Sequence, residues 1–308
     1  EEVNPGMTES DFYTDWYEFD DNYSYRGNKA TKTSEKKATA KVAAASATLS
    51  DSIAMNFKLV GDFDKYYSDI KAANSGNDVS VVKSGDNWVA SVTGLGAKDM
   101  AKDVVINFTA VDKLSGQPVA FSQAISVADY AKGVYAMSTT SAADKTVIAY
   151  MLNYGAAAQT YFGVTDESVA PDATIAASLT LANAVTADNY AEQLTKVQEV
   201  LNSDALTWTG ASLVLEDKIS VKVYFTGNAD GLTATVDGAA AAFTKGDGYV
   251  EIKLNPNQLE KTIVVTVGDA KLTYSAATYA YNKLGGSNEN LKALVIAAVN
   301  YGRACAAK

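Results

Sequence analysis

The chain repeats itself, and the repeat limits its possible folds more than any single motif does. "ASATLSDSIAMNFKLVG" (45–61) matches "ASLVLEDKISVKVYFTG" (211–227), with Ile53 against Ile219 and Gly61 against Gly227. In the same order, "SGDNWVASV" (84–92) matches "KGDGYVEIKL" (245–254), and "KDVVINF" (102–108) matches "KTIVVTV" (261–267). "VADYAK" (127–132) then matches "AATYAY" (276–281), and "MLNYGAAA" (151–158) matches "AVNYGRAC" (298–305). Matching blocks in one unbroken order mark a duplicated domain.

Both copies carry the same patterns. The first three blocks alternate apolar and polar residues at period two and are rich in Val, Ile, Thr and aromatics, which predicts strands. "SGDNW" and "KGDGY" hold the Gly/Asp/Asn pairs of tight hairpins. The last two blocks change to helical period: Val147, Met151, Tyr154 and Ala158 form one stripe, repeated by Leu294, Ala298, Tyr301 and Cys305. "STTSAAD" and "GGSNEN" supply the turn and N-cap of a helical hairpin. The expected fold is α+β: two tandem homologous lobes, each an antiparallel β-sandwich followed by a helical hairpin. Tyr154 and Tyr301 are expected in the core, and Gly155 and Gly302 at close helix approaches.

The expected boundaries are an aromatic-rich N-terminal segment over 1–41, a first lobe over 42–163, a connector over 164–208 and a second lobe over 209–308. The N-terminal segment reads as a helix from about Thr8, with Phe12, Trp16, Phe19 and Tyr23 on one side. In the connector, Tyr190, Leu194, Val197 and Leu201 have helical spacing, which predicts order there.

Composition removes several functions. The net charge is −10, which repels both a phosphate backbone and anionic lipid, so neither nucleic acid nor membrane is an expected partner. No apolar run reaches the ~18–20 residues of a membrane span. No signal peptide is visible at the start, so the chain reads as either intracellular or a mature fragment. There is no histidine, the side chain most used for general acid–base work and for binding transition metals. The single cysteine, Cys305, excludes an internal disulfide and reads as a small core residue. No phosphate loop, zinc pattern or nucleophile elbow is present. "DDNYSYRGN" and "GNADG" hold oxygen ligands but lack EF-hand spacing, so neither a metal nor another cofactor is expected. Asp86 and Asp247, carboxylates at matching positions, lie in the predicted turns. The chain is expected not to be an enzyme.

Aromatic side chains remain as candidates. Trp88 and Tyr249 sit at matching positions just after the hairpin turns, and facing lobes would bring such points toward one groove. Tyr66 and Tyr67 lie side by side on 62–78, a longer loop in the first copy than in the second. Adjacent strand residues point to opposite faces, so one of the pair should meet solvent. Trp208, at the entry to the second lobe, reads as either a surface ring or a plug of the sandwich. Trp16 and Tyr25 belong to an N-terminal stretch with more rings than one groove buries. Exposed rings among Asp, Asn and Lys suit carbohydrate, because a pyranose lays its C–H face on an aromatic ring while its hydroxyls find polar groups at the rim.

At "ISVADYAKGVYA" (125–136), "MLNYGAAAQTYF" (151–162) and "WTGASLVLEDKISVKVYF" (208–225) the chain resembles exported modules of ruminococci, in particular the starch adherence proteins of the gut ruminococcal amylosome. The resemblance implies a secreted, cell-surface, non-catalytic module that holds starch or malto-oligosaccharides in a groove formed by the two lobes. It also implies a cohesin partner reached through a dockerin. No dockerin repeat occurs in these residues, so that part lies outside them or is absent. Cellulose or another plant glycan on the same scaffold, and a structural or adhesin module that binds protein, remain the alternatives.

Overall fold

A computed structural model describes residues 23–26, 29–32, 39–49, 53–61 and 63–308. The expected N-terminal helix, with Phe12, Trp16 and Phe19, lies outside them. Tyr23 and Tyr25, however, belong to a strand: β1 (Tyr23–Arg26) pairs with β2 (Lys29–Lys32). The predicted helical stripe therefore does not extend to Tyr23.

The first half then builds β3 (Val42–Thr48), β4 (Ala54–Leu59), a helical turn α1 (Phe63–Tyr66), β5 (Tyr67–Ala73), β6 (Asp78–Ser84), β7 (Asn87–Thr93), β8 (Asp103–Asp112) and β9 (Pro118–Ser126). Two helices follow, α2 (Val127–Ala136) and α3 (Ala142–Phe162). After the short helices α4 (Ala173–Ala176) and α5 (Tyr190–Gln193) come β10 (Glu199–Leu201), β11 (Leu206–Val214), β12 (Ser220–Gly227), β13 (Thr233–Val236), β14 (Ala239–Ala240), β15 (Phe243–Gly246), β16 (Tyr249–Lys253), β17 (Ile263–Val267) and β18 (Ala270–Tyr274). The chain closes with α6 (Ala276–Leu284) and α7 (Glu289–Ala306).

The strands form sheets ordered β3-β4-β7-β6 and β5-β8-β9 in the first half, and β11-β12-β16-β15 and β10-β18-β17-β13-β14 in the second. Every strand pairing among the described residues is antiparallel. Period-two alternation explains the sandwich-like packing. On β8, Val104, Ile106, Phe108 and Ala110 are buried while Asp103, Val105, Asn107 and Thr109 face out. On β4, Met55, Phe57 and Leu59 join the same core, and Phe108 stacks on Phe121 at 4.9 Å. Within the stretch read as a loop over 62–78, residues 63–73 instead form α1 and β5, with Phe63 and Tyr67 both buried and their rings 4.6 Å apart.

The helices start where their caps dictate. The Ser126, Ser141, Ser275 and Asn288 side chains each accept a hydrogen bond from a backbone N–H in the first turn. The predicted stripes on α3 and α7 are fully buried, because the two helices pack on each other. Tyr154 and Tyr301 stack at 5.8 Å with 21° between their planes, and the Tyr301 hydroxyl donates to the Leu49 carbonyl. Each "NYG" glycine faces a 3₁₀ turn, a closer neighbour than the expected second helix. Gly155 sits against Ala97–Asp99 and the Met100 and Val169 side chains, and Gly302 against Pro256–Gln258. Ion pairs Lys98–Asp217 (3.4 Å) and Lys308–Asp144 (2.6 Å) also join the halves, and one continuous core runs through both.

The connector is held by buried amides. Gln159 bonds the Glu167 carbonyl and the Val169 N–H, while Asn300 bonds both backbone groups of Val185. The helical spacing over 187–202 yields only one turn. The Thr278 hydroxyl donates to the Val197 carbonyl and accepts from its N–H, and β10 then pairs with β18, leaving Val200 and Leu201 exposed. Tertiary hydrogen bonding overrides the local period there.

A Cβ on Gly302 would strike the Pro256 carbonyl, whereas one on Gly133, on the open side of α2, meets nothing within 4 Å. Thermal melts should show Gly302→Ala losing about 1–3 kcal/mol by overpacking. Gly133→Ala should gain about 0.5–1 kcal/mol by removing a flexible residue from a helix.

Candidate functional site

Strand register decides where the candidate rings point. Phe57 faces Ala90 across β4 and β7, and Val223 faces Val250 across β12 and β16. Since the repeat aligns Phe57 with Val223, Ala90 corresponds to Val250, and Trp88 corresponds to Gly248. The expected equivalence of Trp88 and Tyr249 is therefore wrong by one residue. The first hairpin, closed by Ser84 and Asn87, extends two residues beyond the second, closed by Gly246 and Tyr249. A one-residue offset reverses the face. Trp88 shares the inward side of β7 with Ala90 and Val92, while Tyr249 shares the solvent side of β16 with Glu251.

Trp88 is half-buried against the first-half core, and its indole N–H donates to the Asp64 carboxylate. Lys83 pairs with the other oxygen of that carboxylate, and Lys113 donates to the Asp64 carbonyl. The hydrogen bonds from Lys83 and then Trp88 hold the Asp64 carboxyl below its usual range. Asp64 thus ties the β6–β7 hairpin to α1 and to the β8–β9 turn. Tyr66, half-buried beside this cluster, has the Lys65 ammonium 5.3 Å from its ring centre.

The other candidates divide sharply. Tyr67 is 4% exposed and Trp208 6% exposed, so both are core side chains and not stacking surfaces. Trp208 meets Phe225 edge-on at 6.0 Å, because Leu206 and Trp208 take the inward positions of β11. Trp16 lies outside the described residues, and Tyr25 is described only as part of β1.

Tyr249 has a neighbour that sequence reasoning passed over. Tyr224 lies directly across from it on β12, their centroids 6.0 Å apart and their planes tilted by 54°. Gly210 and Gly246 complete the cross-strand row on either side. A Cβ on Gly246 would strike the Tyr249 ring, so the phenol lies over this glycine. The Lys222 ammonium sits 4.7 Å from the Tyr249 centroid, and the Tyr224 hydroxyl meets Ser212 Oγ at 3.0 Å. The adjoining row is polar: Ser212, Lys222, Glu251 and Thr244. Burial opposes the charge on Glu251. The Ser220 hydroxyl at 2.5 Å and the Lys218 ammonium at 3.0 Å nonetheless keep its carboxyl below the usual value. The signal for Tyr224 was present in "SVKVYFTG", where Val221, Val223 and Phe225 alternate with Lys222 and Tyr224.

Two further tyrosines, Tyr279 and Tyr161, come from the helices. Helix α6 packs against β11 and carries Tyr279, half-buried, with the Lys283 ammonium 5.1 Å from its ring. Burial and the nearby phenols of Tyr161 and Tyr224 push the Tyr279 hydroxyl up. Tyr161, at the exposed end of α3, packs edge-on to Phe162 at 5.0 Å. Neither was legible in sequence, since helix docking brings them there.

Between the halves lies a small cleft of about 30 Å³ lined by Ile53, Leu95, Ile219, Leu254, Pro256 and Tyr154, among others. None of the predicted rings lines it. Among the described residues no group of three or more His, Cys, Asp or Glu is placed to hold a metal ion. No helix among them is long and apolar enough to cross a membrane.

No protein-family model matches the chain, and no curated protein matches it. Among solved structures, the chain is similar to the titin tandem immunoglobulin domains A164–A165, at 8% identity over 73% of this chain and 86% of that one, with a TM-score of 0.18. A likeness of that degree carries no argument about fold or function. The class rests on the structure alone: an α+β protein with antiparallel, sandwich-like sheets.

Two pH limits follow. The Asp64 carboxylate adds stability above its ordinary value of 3.8, and that stability is lost as pH falls through its lower folded value. Melts of Asp64→Asn should show a shallower acid limb than the unaltered chain. Burial, with the Tyr279 phenol nearby, pushes Tyr274 up to about 12, so its contribution is complete below 10.0 and lost as pH climbs toward about 12. Tyr274→Phe should flatten that alkaline limb.

Proposed function

We propose that this chain is a non-catalytic carbohydrate-binding protein for α-glucan chains of the starch type. The observation that carries this reading is the tilted Tyr224–Tyr249 pair on the solvent face of β12 and β16, bordered by Ser212, Lys222 and Glu251. Phenol rings offer a sugar's C–H face an apolar surface, and the neighbouring row supplies donors and acceptors for its hydroxyls. The 54° tilt favours a chain whose successive rings turn over a flat, cellulose-like ribbon, which would call for coplanar rings.

No chemistry is assigned to the site. A glycosidase needs one carboxylic acid held protonated beside a second carboxylate. Glu251 is instead held ionised by Ser220 and Lys218. On this reading the two halves are homologous lobes of one binding module, 42–163 and 209–308, and the sugar surface lies on the second. The resemblance to starch adherence proteins adds export to the cell surface and a cohesin partner bound through a dockerin outside these residues.

Affinity electrophoresis in amylopectin, cellulose and protein-control gels tests the proposal, with calorimetry on malto-oligosaccharides. Micromolar to millimolar Kd is expected, about −8 to −4 kcal/mol. Tyr224→Ala and Tyr249→Ala should each lose about 1–3 kcal/mol of affinity, by analogy with base stacking on aromatic rings. Gly246→Ala should weaken binding in the same direction by displacing the Tyr249 ring. Retardation by cellulose alone would overturn the α-glucan assignment, and release of reducing sugar would overturn the absence of catalysis.

A further inference from the structure

Resting on that reading of the Tyr224–Tyr249 pair, we infer that the glycan surface crosses the junction of the two halves. Tyr279 and Tyr161 serve as outer subsites that make the protein prefer long α-glucan chains to short ones. The path follows from packing. Tyr249 and Tyr224 are cross-strand neighbours, and β11 is the next strand in the sheet. Helix α6 lies against β11 and carries Tyr279, half-buried at its edge. The last ring comes from the other half of the chain. Tyr161 follows Tyr154 by seven residues, two turns along the same helical stripe. Tyr154 itself stacks on Tyr301 of α7, the helix against which α6 packs. Helix docking thus delivers Tyr161 toward Tyr279, and the phenols of Tyr161 and Tyr224 are both within electrostatic reach of it.

Neighbouring strands are ~4.8 Å apart, so the course from β16 over β12 to β11 spans about 10 Å before it reaches α6. A short oligosaccharide resting on Tyr224 and Tyr249 covers only one end of that course. A longer chain reaches the Tyr279 ring, with Lys283 beside it, and then Tyr161. Each added ring contact is made by a ligand already held, so it acts at high effective concentration. Tyr161 is exposed and takes no part in the core stack, which makes it a specificity residue separable from folding.

Calorimetry with maltotriose and maltoheptaose as probes tests this on the full chain and its Tyr161→Ala, Tyr161→Phe and Tyr249→Ala variants. Tyr161→Ala should weaken maltoheptaose about tenfold and leave maltotriose unchanged. Tyr161→Phe keeps the ring and should retain most of the maltoheptaose affinity. Tyr249→Ala should weaken both probes. Equal losses for the two probes in Tyr161→Ala, or no loss for either, would overturn the subsite assignment while leaving the Tyr224–Tyr249 reading intact. If the unaltered chain binds neither probe, the glycan reading falls and this extension falls with it.

Discussion

Helices α3 and α7 meet through two stacked tyrosines, each followed by a glycine that faces its own half, and the arrangement of everything else follows from that contact. Tyr154 and Tyr301 stack inside the interface. Burial of a large apolar side chain contributes about 1.5–3 kcal/mol, and an aromatic pair about 0.5–1.5 kcal/mol more. The adjacent glycines let each helix settle on the 3₁₀ turn of its own half, where a methyl group would collide. Each helix is thereby fixed to its own sheets and to its counterpart at once. Gln159 and Asn300, one on each helix, then pin the connector with buried side-chain hydrogen bonds. Such groups are costly to leave unpaired, so they select one path for the chain.

The same contact explains how a surface shared by both halves arises. A rigid helix carries its far end wherever its buried stripe docks. Tyr161 is therefore placed by Tyr154, although one tyrosine is buried and the other exposed. The sheet contributes the rest of the row through β12 and β16, whose solvent faces hold Tyr224 and Tyr249 side by side.

The two copies have diverged at their hairpins. The first extends two residues further, which places Trp88 on the inward side, where Asp64 holds its indole N–H. The second turns earlier and lays Tyr249 over Gly246. Period-two geometry turns this small difference in length into opposite environments, one ring braced within the structure and one presented to solvent.

Much of the fold is legible in the residues alone. Alternation in "KDVVINF", the serines before α2 and α6, and the stripes through both "NYG" motifs each have a local physical cause that neighbouring residues are sufficient to express. Tyr224 was also legible, as an outward position between Val223 and Phe225. Several features belong to the tertiary structure. Tyr67 and Trp208 are core because of the sheet face that each strand presents, and strand pairing selects that face. The single turn of α5 gives way to β10 because Thr278, distant in sequence, captures Val197. Tyr161 and Tyr279 approach each other only because two distant helices share a core. Local period and capping act over a few residues and are written in the chain, whereas register and helix docking depend on partners far along it, and they alone decided which rings face solvent together.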